Sequence, residues 1–188
     1  MSTPAAAREQ RFRALYADHY DHVLRFVARR SSPASAEDVV AEAFLVAWRR
    51  LDDVPTRVGE ALPWLYAVAR NCLLNSARAT GRQGALAVRI ADAGPSDAHH
   101  THLDTDHIAR RVDLATAWQR LTDAEQEVLA LAIWEDLPSP AAARVLGTTA
   151  AAYRLRLSRA RRTLRRHLDP TDTPVRALPA PALLKENS

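Results

Sequence analysis

The chain has 188 residues and a formal net charge of +4, a length that fits one ordinary domain or two small ones. Hydrophobic residues at 47% and charged residues at 26% are typical of globular proteins and exclude wholesale disorder. A single cysteine, Cys72, excludes a disulfide framework and a multi-cysteine zinc site. No apolar run is long enough to span a bilayer and the N-terminus has no apolar signal core, so we expect a cytoplasmic protein without a membrane partner.

The composition divides the chain into four stretches. Apolar residues recur at helical spacing over residues 8–82 and again over 108–168, whereas 83–107 is poor in large apolar residues and 169–188 is rich in proline. We therefore predict two helical domains, a flexible linker at 83–107 and a disordered tail at 169–188. Few glycines, few β-branched runs and no strand signal place the fold in the all-α class.

Three helices are predicted in the first domain. Apolar residues three or four apart from Phe12 to Val27 indicate the first helix. Ser35, three residues before Asp38, is the predicted N-cap of the second, and Pro63 opens a third that ends near Gly81. The buried face of the second helix is predicted to comprise Val39, Val40, Ala43, Phe44, Ala47 and Trp48.

The second domain carries the spacing of a helix-turn-helix. Thr122 and Glu125 have the spacing of a capping box, and a short helix over 139–146, a turn at Gly147 and a long helix over 150–168 follow. Four residues of the long helix share one face and should pack inward: Tyr153, Leu157, Ala160 and Leu164.

The remaining surface of the long helix is basic, with no acidic residue between Ala150 and Leu168. Its seven arginines are Arg154, Arg156, Arg159, Arg161, Arg162, Arg165 and Arg166. Neighbouring guanidinium groups repel one another, and phosphate would offset that repulsion through bidentate hydrogen bonds and counterion release. The pattern therefore favours DNA binding over a merely solvated basic face.

Two further helices carry candidate binding surfaces. The third helix combines aromatic, amide and guanidinium groups that can contact bases and phosphates: Trp64, Arg70, Asn71, Asn75 and Arg78. Taken alone, the pattern favours Trp64 as a core residue over a platform for a base. Glu37, Asp38 and Glu42 make the second helix acidic, which suits either a basic protein partner or the dipole at the helix N-terminus.

An enzymatic interpretation finds no support in the sequence. There is no Gly-rich phosphate loop, no Gly-x-Ser-x-Gly turn and no His-Glu-x-x-His helix, so we expect no catalytic residue, no cofactor and no metal site. Cys72 lies in an apolar stretch and is interpreted as a small core residue. His99, His100, His102 and His107 fall in the predicted linker without cysteine partners.

Two segments resemble a known family in order and spacing. The segment from Phe12 to Arg82, with Ala36-Glu37-Asp38-Val39-Val40-Ala41-Glu42-Ala43-Phe44 and Pro63-Trp64-Leu65-Tyr66-Ala67-Val68-Ala69-Arg70-Asn71, resembles region 2 of bacterial RNA polymerase sigma factors. The segment Leu121 to Leu168, with Trp134-Glu135-Asp136-Leu137-Pro138 and Leu157-Ser158-Arg159-Ala160-Arg161, resembles region 4. Two regions joined by a short linker are typical of the extracytoplasmic-function (ECF) class.

The resemblance implies three partners: core RNA polymerase, promoter DNA and an anti-sigma factor. It places Asp38, Val39 and Glu42 at the polymerase, Trp64, Arg70, Asn71, Asn75 and Arg78 at the −10 element, and residues 51–62 in a pocket for a flipped base. The −35 element would meet Thr149, Ala151, Ala152, Arg154, Leu155, Arg156, Ser158 and Arg159. The alternative is a helix-turn-helix regulator that binds duplex DNA without polymerase.

Overall fold

A computed structural model describes residues 4–79, 88–89 and 105–169, apart from the side chains of Pro33 and residues 105–111. These residues form seven α-helices and contain no strand, which confirms the all-α class. The helices are α1 (Pro4–Ala28), α2 (Pro33–Arg49), α3 (Ala61–Ala79), α4 (Thr105–Gln119), α5 (Asp123–Ile133), α6 (Ser139–Val145) and α7 (Ala150–Leu168). Most of the predicted linker and tail, including the four linker histidines' side chains, lies outside the described residues.

Local hydrogen bonds fix the predicted helix ends in the second half of the chain. Thr122 Oγ1 accepts from the backbone N–H of Glu125 at 3.3 Å, and Glu125 Oε2 accepts from the N–H of Thr122 at 3.0 Å, so the predicted capping box is confirmed. Thr149 caps α7 by accepting from the N–H of Ala152 at 3.1 Å. Gly147 has φ +62°, a value that glycine adopts at little cost.

The predicted N-cap of the second helix is wrong. α2 begins at Pro33, and its N-cap is Ser32 rather than Ser35. Ser35 lies in the first turn, where its hydroxyl donates to the carbonyl oxygen of Ser32 at 3.1 Å. Proline is favoured at the first helical position because the N–H that it lacks would have no partner there.

Helices α1, α2 and α3 pack around one apolar core and are called the first module below. Phe26 stacks on Tyr66 with ring centroids 4.5 Å apart. Trp48, predicted to be buried, is 37% exposed. It lies at the margin of the module, where Phe12 covers one side at 5.1 Å and the Arg8 guanidinium lies 5.2 Å from the ring. The fully buried core includes Val23, Phe26, Val27, Val40, Ala43, Ala47, Leu51, Leu65 and Ala69.

Helices α4 to α7 form the second module, and the inward face predicted for α7 is confirmed. Tyr153 and Ala160 are buried, whereas Leu157 and Leu164 are partly buried against the core. The Tyr153 hydroxyl donates to the carbonyl oxygen of Val128 in α5 at 3.1 Å. Trp118 Nε1 donates to the carbonyl oxygen of Val88 at 2.6 Å, which ties α4 to the chain between the modules.

The two modules contact each other directly, with α6 packed on α3. Second-module residues join the apolar cluster of the first module: Val128, Leu131, Ala142, Ala143, Val145 and Tyr153. Among the described residues, four ion pairs cross the same boundary: Arg70 pairs with Glu127, Arg29 and Arg30 both pair with Glu135, and Arg144 pairs with Glu60. Helical periodicity did not predict this contact, because it depends on how two separately predicted domains meet.

Candidate nucleic-acid interface

The outer surface of α7 is a continuous basic face. The structure leaves all seven of its arginines exposed: Arg154, Arg156, Arg159, Arg161, Arg162, Arg165 and Arg166. Because Tyr153 and Ala160 hold the opposite face against α5 and α6, the guanidinium groups have no route inward. A helix presented in this way by a Gly-containing turn has the shape and charge that fit a DNA groove.

The residues predicted to meet the −35 element lie largely on this face. Ala151, Arg154, Leu155, Arg156, Ser158 and Arg159 are exposed, whereas Ala152 is half-buried. Thr149 is exposed, but its hydroxyl already caps the helix. Leu155 is 53% exposed, so the basic face also presents one apolar side chain between Arg154 and Arg156.

The second candidate surface lies on α3 and is only partly open. Asn71, Asn75 and Arg78 are exposed, and Arg78 Nη1 donates to Asn75 Oδ1 at 3.0 Å. Arg70 instead reaches the second module, where Nε and Nη2 donate to the two carboxylate oxygens of Glu127 at 2.6 and 3.0 Å. Trp64 is half-buried, with the Arg50 guanidinium 5.9 Å from its ring.

The acidic face of α2 is the third surface. Asp38 and Glu42 are exposed, together with Glu37. Val39, predicted beside them as a contact residue, is only 4% exposed and belongs to the core. Leu45 was missed: it is 55% exposed and lies seven residues after Asp38 and three after Glu42, a spacing that puts the three residues on one side of the helix.

The loop predicted to receive a flipped base lies at the boundary between the modules. A cleft of about 470 Å³ has Gly59 and Leu62 on one wall and Asp136, Leu137 and Pro138 on the other. A second cleft of about 390 Å³ is lined by Arg70 and Glu127 together with Arg156 and Arg159 of α7. Both the α3 surface and the loop therefore face the second module.

Cys72 is buried, as predicted for a core residue. Burial raises the pKa of its thiol to about 11, which keeps it protonated and unreactive near neutral pH. The described residues hold no group of three metal-ligating side chains, and no helix among them is long and apolar enough to cross a membrane.

Family comparisons agree with this division into two modules. The model for Sigma-70 region 2 matches residues 15–83, and the model for Sigma-70 region 4 matches residues 111–164. A probable RNA polymerase sigma factor, RfaY of Xanthomonas campestris, is 34% identical over 142 residues, which cover 72% of this chain and 34% of that protein. The ECF RNA polymerase sigma factor SigL of Mycobacterium tuberculosis is 28% identical over 166 residues, with 88% of this chain and 93% of SigL covered.

The fold is shared with a solved structure. The sigma factor RpoE of Bartonella quintana, in complex with the anti-sigma factor NepR, superimposes with a TM-score of 0.60 at 23% identity and covers 84% of this chain and 96% of that one. Fold, paired family matches and relatives agree that this chain belongs to the ECF class of RNA polymerase sigma factors. It is therefore a promoter-recognition subunit that acts in transcription initiation. The match to region 2 disfavours a regulator that works without polymerase.

Proposed function

We propose that α7 binds the duplex −35 element, that α3 contacts the −10 element, and that the acidic face of α2 docks on core RNA polymerase. The observation that carries the proposal is the exposed arginine face of α7, which follows the positive-φ turn at Gly147. Its guanidinium groups bind phosphates and so position the helix, and this contact alone does not depend on base sequence.

Only a few side chains of α7 are left to recognise bases of the −35 element. Leu155 offers an apolar contact that suits the C5-methyl group of thymine, and Arg154 and Arg159 can donate to guanine. The small side chain of Ala151 allows close approach of the helix to the groove. Ala152, which is half-buried, and Thr149, which caps the helix, support this surface from behind.

At the −10 element, the amides of Asn71 and Asn75 can hydrogen-bond base edges while Arg70 and Arg78 bind phosphates. Trp64 is half-buried and paired with Arg50, so we propose that it supports the base-binding loop from beneath. Opening the duplex requires capture of unstacked bases, which costs a few kcal/mol per step. The second module, which reads only duplex DNA, does not bear this cost.

Core polymerase is the proposed partner of Asp38, Glu42 and Leu45. The two carboxylates give charge complementarity to a basic surface, and Leu45 gives an apolar contact next to them. Val39 is buried, so we propose that it fixes the helix against the core rather than touching the polymerase. Because polymerase and DNA are cytoplasmic, we place the protein there as well.

We also propose an anti-sigma factor as a regulatory partner. The similar RpoE structure is a complex with one. A partner that covers the exposed side of α2 would compete with polymerase for the same carboxylates.

Copurification with core polymerase tests the docking surface. Asp38→Arg reverses the charge at the proposed contact and should reduce recovery of core subunits at least tenfold. Asp113→Arg makes the same change on the exposed surface of α4 and should leave recovery unchanged. Equal recovery with both variants would refute docking through α2.

A further inference from the structure

Two arginines of α1 contact the start of the base-binding loop, residues 51–62. Arg8 and Arg11 are three positions apart, so they lie on the same side of the helix, and the groups that accept from them are 40 to 44 positions further along the chain. Both precede residue 15, where the match to Sigma-70 region 2 begins. The family match therefore assigns them no role.

Arg11 holds the carbonyl group at which the loop leaves the core. Its Nη2 donates to the carbonyl oxygen of Val54 at 2.9 Å. That oxygen belongs to the peptide group between Val54 and Pro55, which is trans and therefore planar. Proline also restricts its own φ to about −65°. Because both torsions are fixed, the position of this one carbonyl sets the direction in which the chain enters the exposed part of the loop.

Arg8 binds the last turn of α2, immediately before the loop. Its Nη2 donates to the carbonyl oxygen of Trp48 at 2.7 Å, and its Nη1 donates to Asp52 Oδ2 at 3.1 Å. Asp52 is 86% exposed, so the ion pair stabilises little. The bond to the carbonyl contributes more, because its donor is charged and carbonyls in the last turn of a helix need partners from outside the helix. The two arginines thus hold backbone acceptors on both sides of the turn at Leu51–Asp53.

The outer part of the loop projects from the first module. Val58 at its tip is fully exposed, and Gly59 has φ +79°. The N–H of Glu60 donates to the carbonyl oxygen of Arg57 at 3.1 Å and closes a turn around the tip. This bond fixes the shape of the tip but not its position on the module. Within the module, that position depends on the two ends of the loop, and Arg11 holds the first of them.

We propose that Arg8 and Arg11 are positioning residues for base capture, which hold the loop in its base-receiving position before DNA arrives. A loop that becomes ordered only when its ligand binds loses part of the binding free energy to that ordering, whereas an anchored loop is already ordered. Neither arginine has to touch DNA. This inference rests on the proposed role of the loop, and it gives the first half of α1 a part in promoter opening.

The complex of the full chain with core polymerase tests the inference on heteroduplex promoter DNA. The promoter selected with that complex is made non-complementary across the −10 element, so that its affinity reports base capture without the cost of melting. Each base of the −10 non-template strand is then replaced in turn by an abasic site, and binding is measured by fluorescence anisotropy. The resulting fold loss of affinity is called the abasic penalty. With the parent chain it should be about tenfold at the captured base, as expected when one stacked base is lost.

Arg11→Ala should weaken binding of the intact heteroduplex about fivefold, the effect of one lost hydrogen bond. The abasic penalty should shrink by a similar factor at the captured base, because the two changes remove the same interaction. At the other −10 positions the penalty should stay that of the parent chain. A purely structural contribution of Arg11 would change stability without changing the penalty at one position alone.

Arg13→Ala is the matched control, because Arg13 is an exposed arginine of α1 that pairs with Glu9. It should leave the affinity and every abasic penalty as in the parent chain. If Arg11→Ala does not fold, as judged by circular dichroism, Arg8→Ala removes the other anchor and provides the same test. An unchanged penalty at the captured base would overturn the inference, as would penalties that shrink equally at every position.

Failure of the proposed function would appear in the parent chain itself. If no abasic site in the −10 strand weakens binding of the parent complex, the first module captures no base and its assignment to the −10 element fails. If one abasic site does weaken binding while Arg11→Ala leaves that penalty unchanged, base capture stands and only positioning by α1 fails.

Discussion

The hydroxyl of Tyr153 donates to the carbonyl oxygen of Val128 at 3.1 Å, and both residues are buried. This bond joins the N-terminal end of α7 to α5. It therefore helps to set which side of α7 faces solvent. The exposed arginine face is therefore a consequence of how Tyr153 packs as well as of where the arginines fall in the sequence.

Tyr153→Phe should lower the free energy of unfolding by about 1 kcal/mol, because a buried hydrogen bond to the Val128 carbonyl is lost. Urea unfolding followed by circular dichroism measures this change. Tyr16→Phe makes the same chemical change on a ring that is 41% exposed and should have little effect. Equal losses in the two variants would contradict the role assigned to the Tyr153 hydroxyl.

The capping box of α5 should make stability depend on pH. Burial opposes ionisation of Glu125, but hydrogen bonds from Thr122 prevail and hold its pKa below the ordinary 4.5. A depressed folded-state pKa gives stability that is present above pH 4.5 and is lost as the pH falls through the folded value. Glu125→Gln should remove this component of the pH dependence, measured by urea unfolding between neutral pH and about pH 3.

Thr149→Ala is the control for the pH experiment. It removes the side-chain N-cap of α7 but no titrating group. The free energy of unfolding should therefore fall by about 1 kcal/mol, and by a similar amount at every pH. A pH dependence altered equally by both variants would show that Glu125 is not its source.

Arginines on α7 should contribute separately to the salt dependence of duplex binding. Arg154→Ala should reduce the slope of log affinity against log salt concentration by about one, because one phosphate contact and its released counterion are lost. Fluorescence anisotropy over a salt series measures the slope. Arg13→Ala removes an exposed arginine that is paired with Glu9 on α1, and there the slope should remain that of the parent chain.

Leu155 should discriminate thymine from uracil in the −35 duplex. Replacing a contacted thymine with deoxyuridine removes one methyl group, worth about 0.8 kcal/mol or roughly a fourfold loss of affinity. The loss should disappear in Leu155→Ala. A promoter duplex is first selected with the polymerase complex. Each of its thymines is then replaced in turn, and the replacement that weakens binding identifies the contacted base. Equal binding of every substituted duplex would exclude a methyl contact by Leu155.

Local features of the fold could be predicted where neighbouring residues determine them. The Thr122–Glu125 capping box, the turn at Gly147 and the inward face of α7 each depend on residues within a few positions of one another. The predicted start of α2 was wrong because Ser35 has the residue type of an N-cap. Ser32 followed by Pro33 fits the rules for a helix start better, since serine is a favoured cap and proline is favoured at the first helical position.

Features that depend on distant parts of the chain could not be predicted. Arg70 and Glu127 are 57 positions apart, and each alone is typical of a solvated helix surface. Burial of Val39 and exposure of Leu45 likewise follow from how α2 packs on its neighbours. Periodicity identifies the faces of a helix, but it does not identify which partner covers each face.

Promoter-dependent transcription by the reconstituted complex tests the central claim most directly. The full chain is combined with purified core RNA polymerase, and run-off transcripts are measured on a duplex carrying the promoter selected by that complex. We expect transcripts that start at a fixed distance from the −10 element and that decline when Asp38→Arg or Arg70→Ala replaces the parent chain. Initiation no greater than that of core polymerase alone would contradict the account.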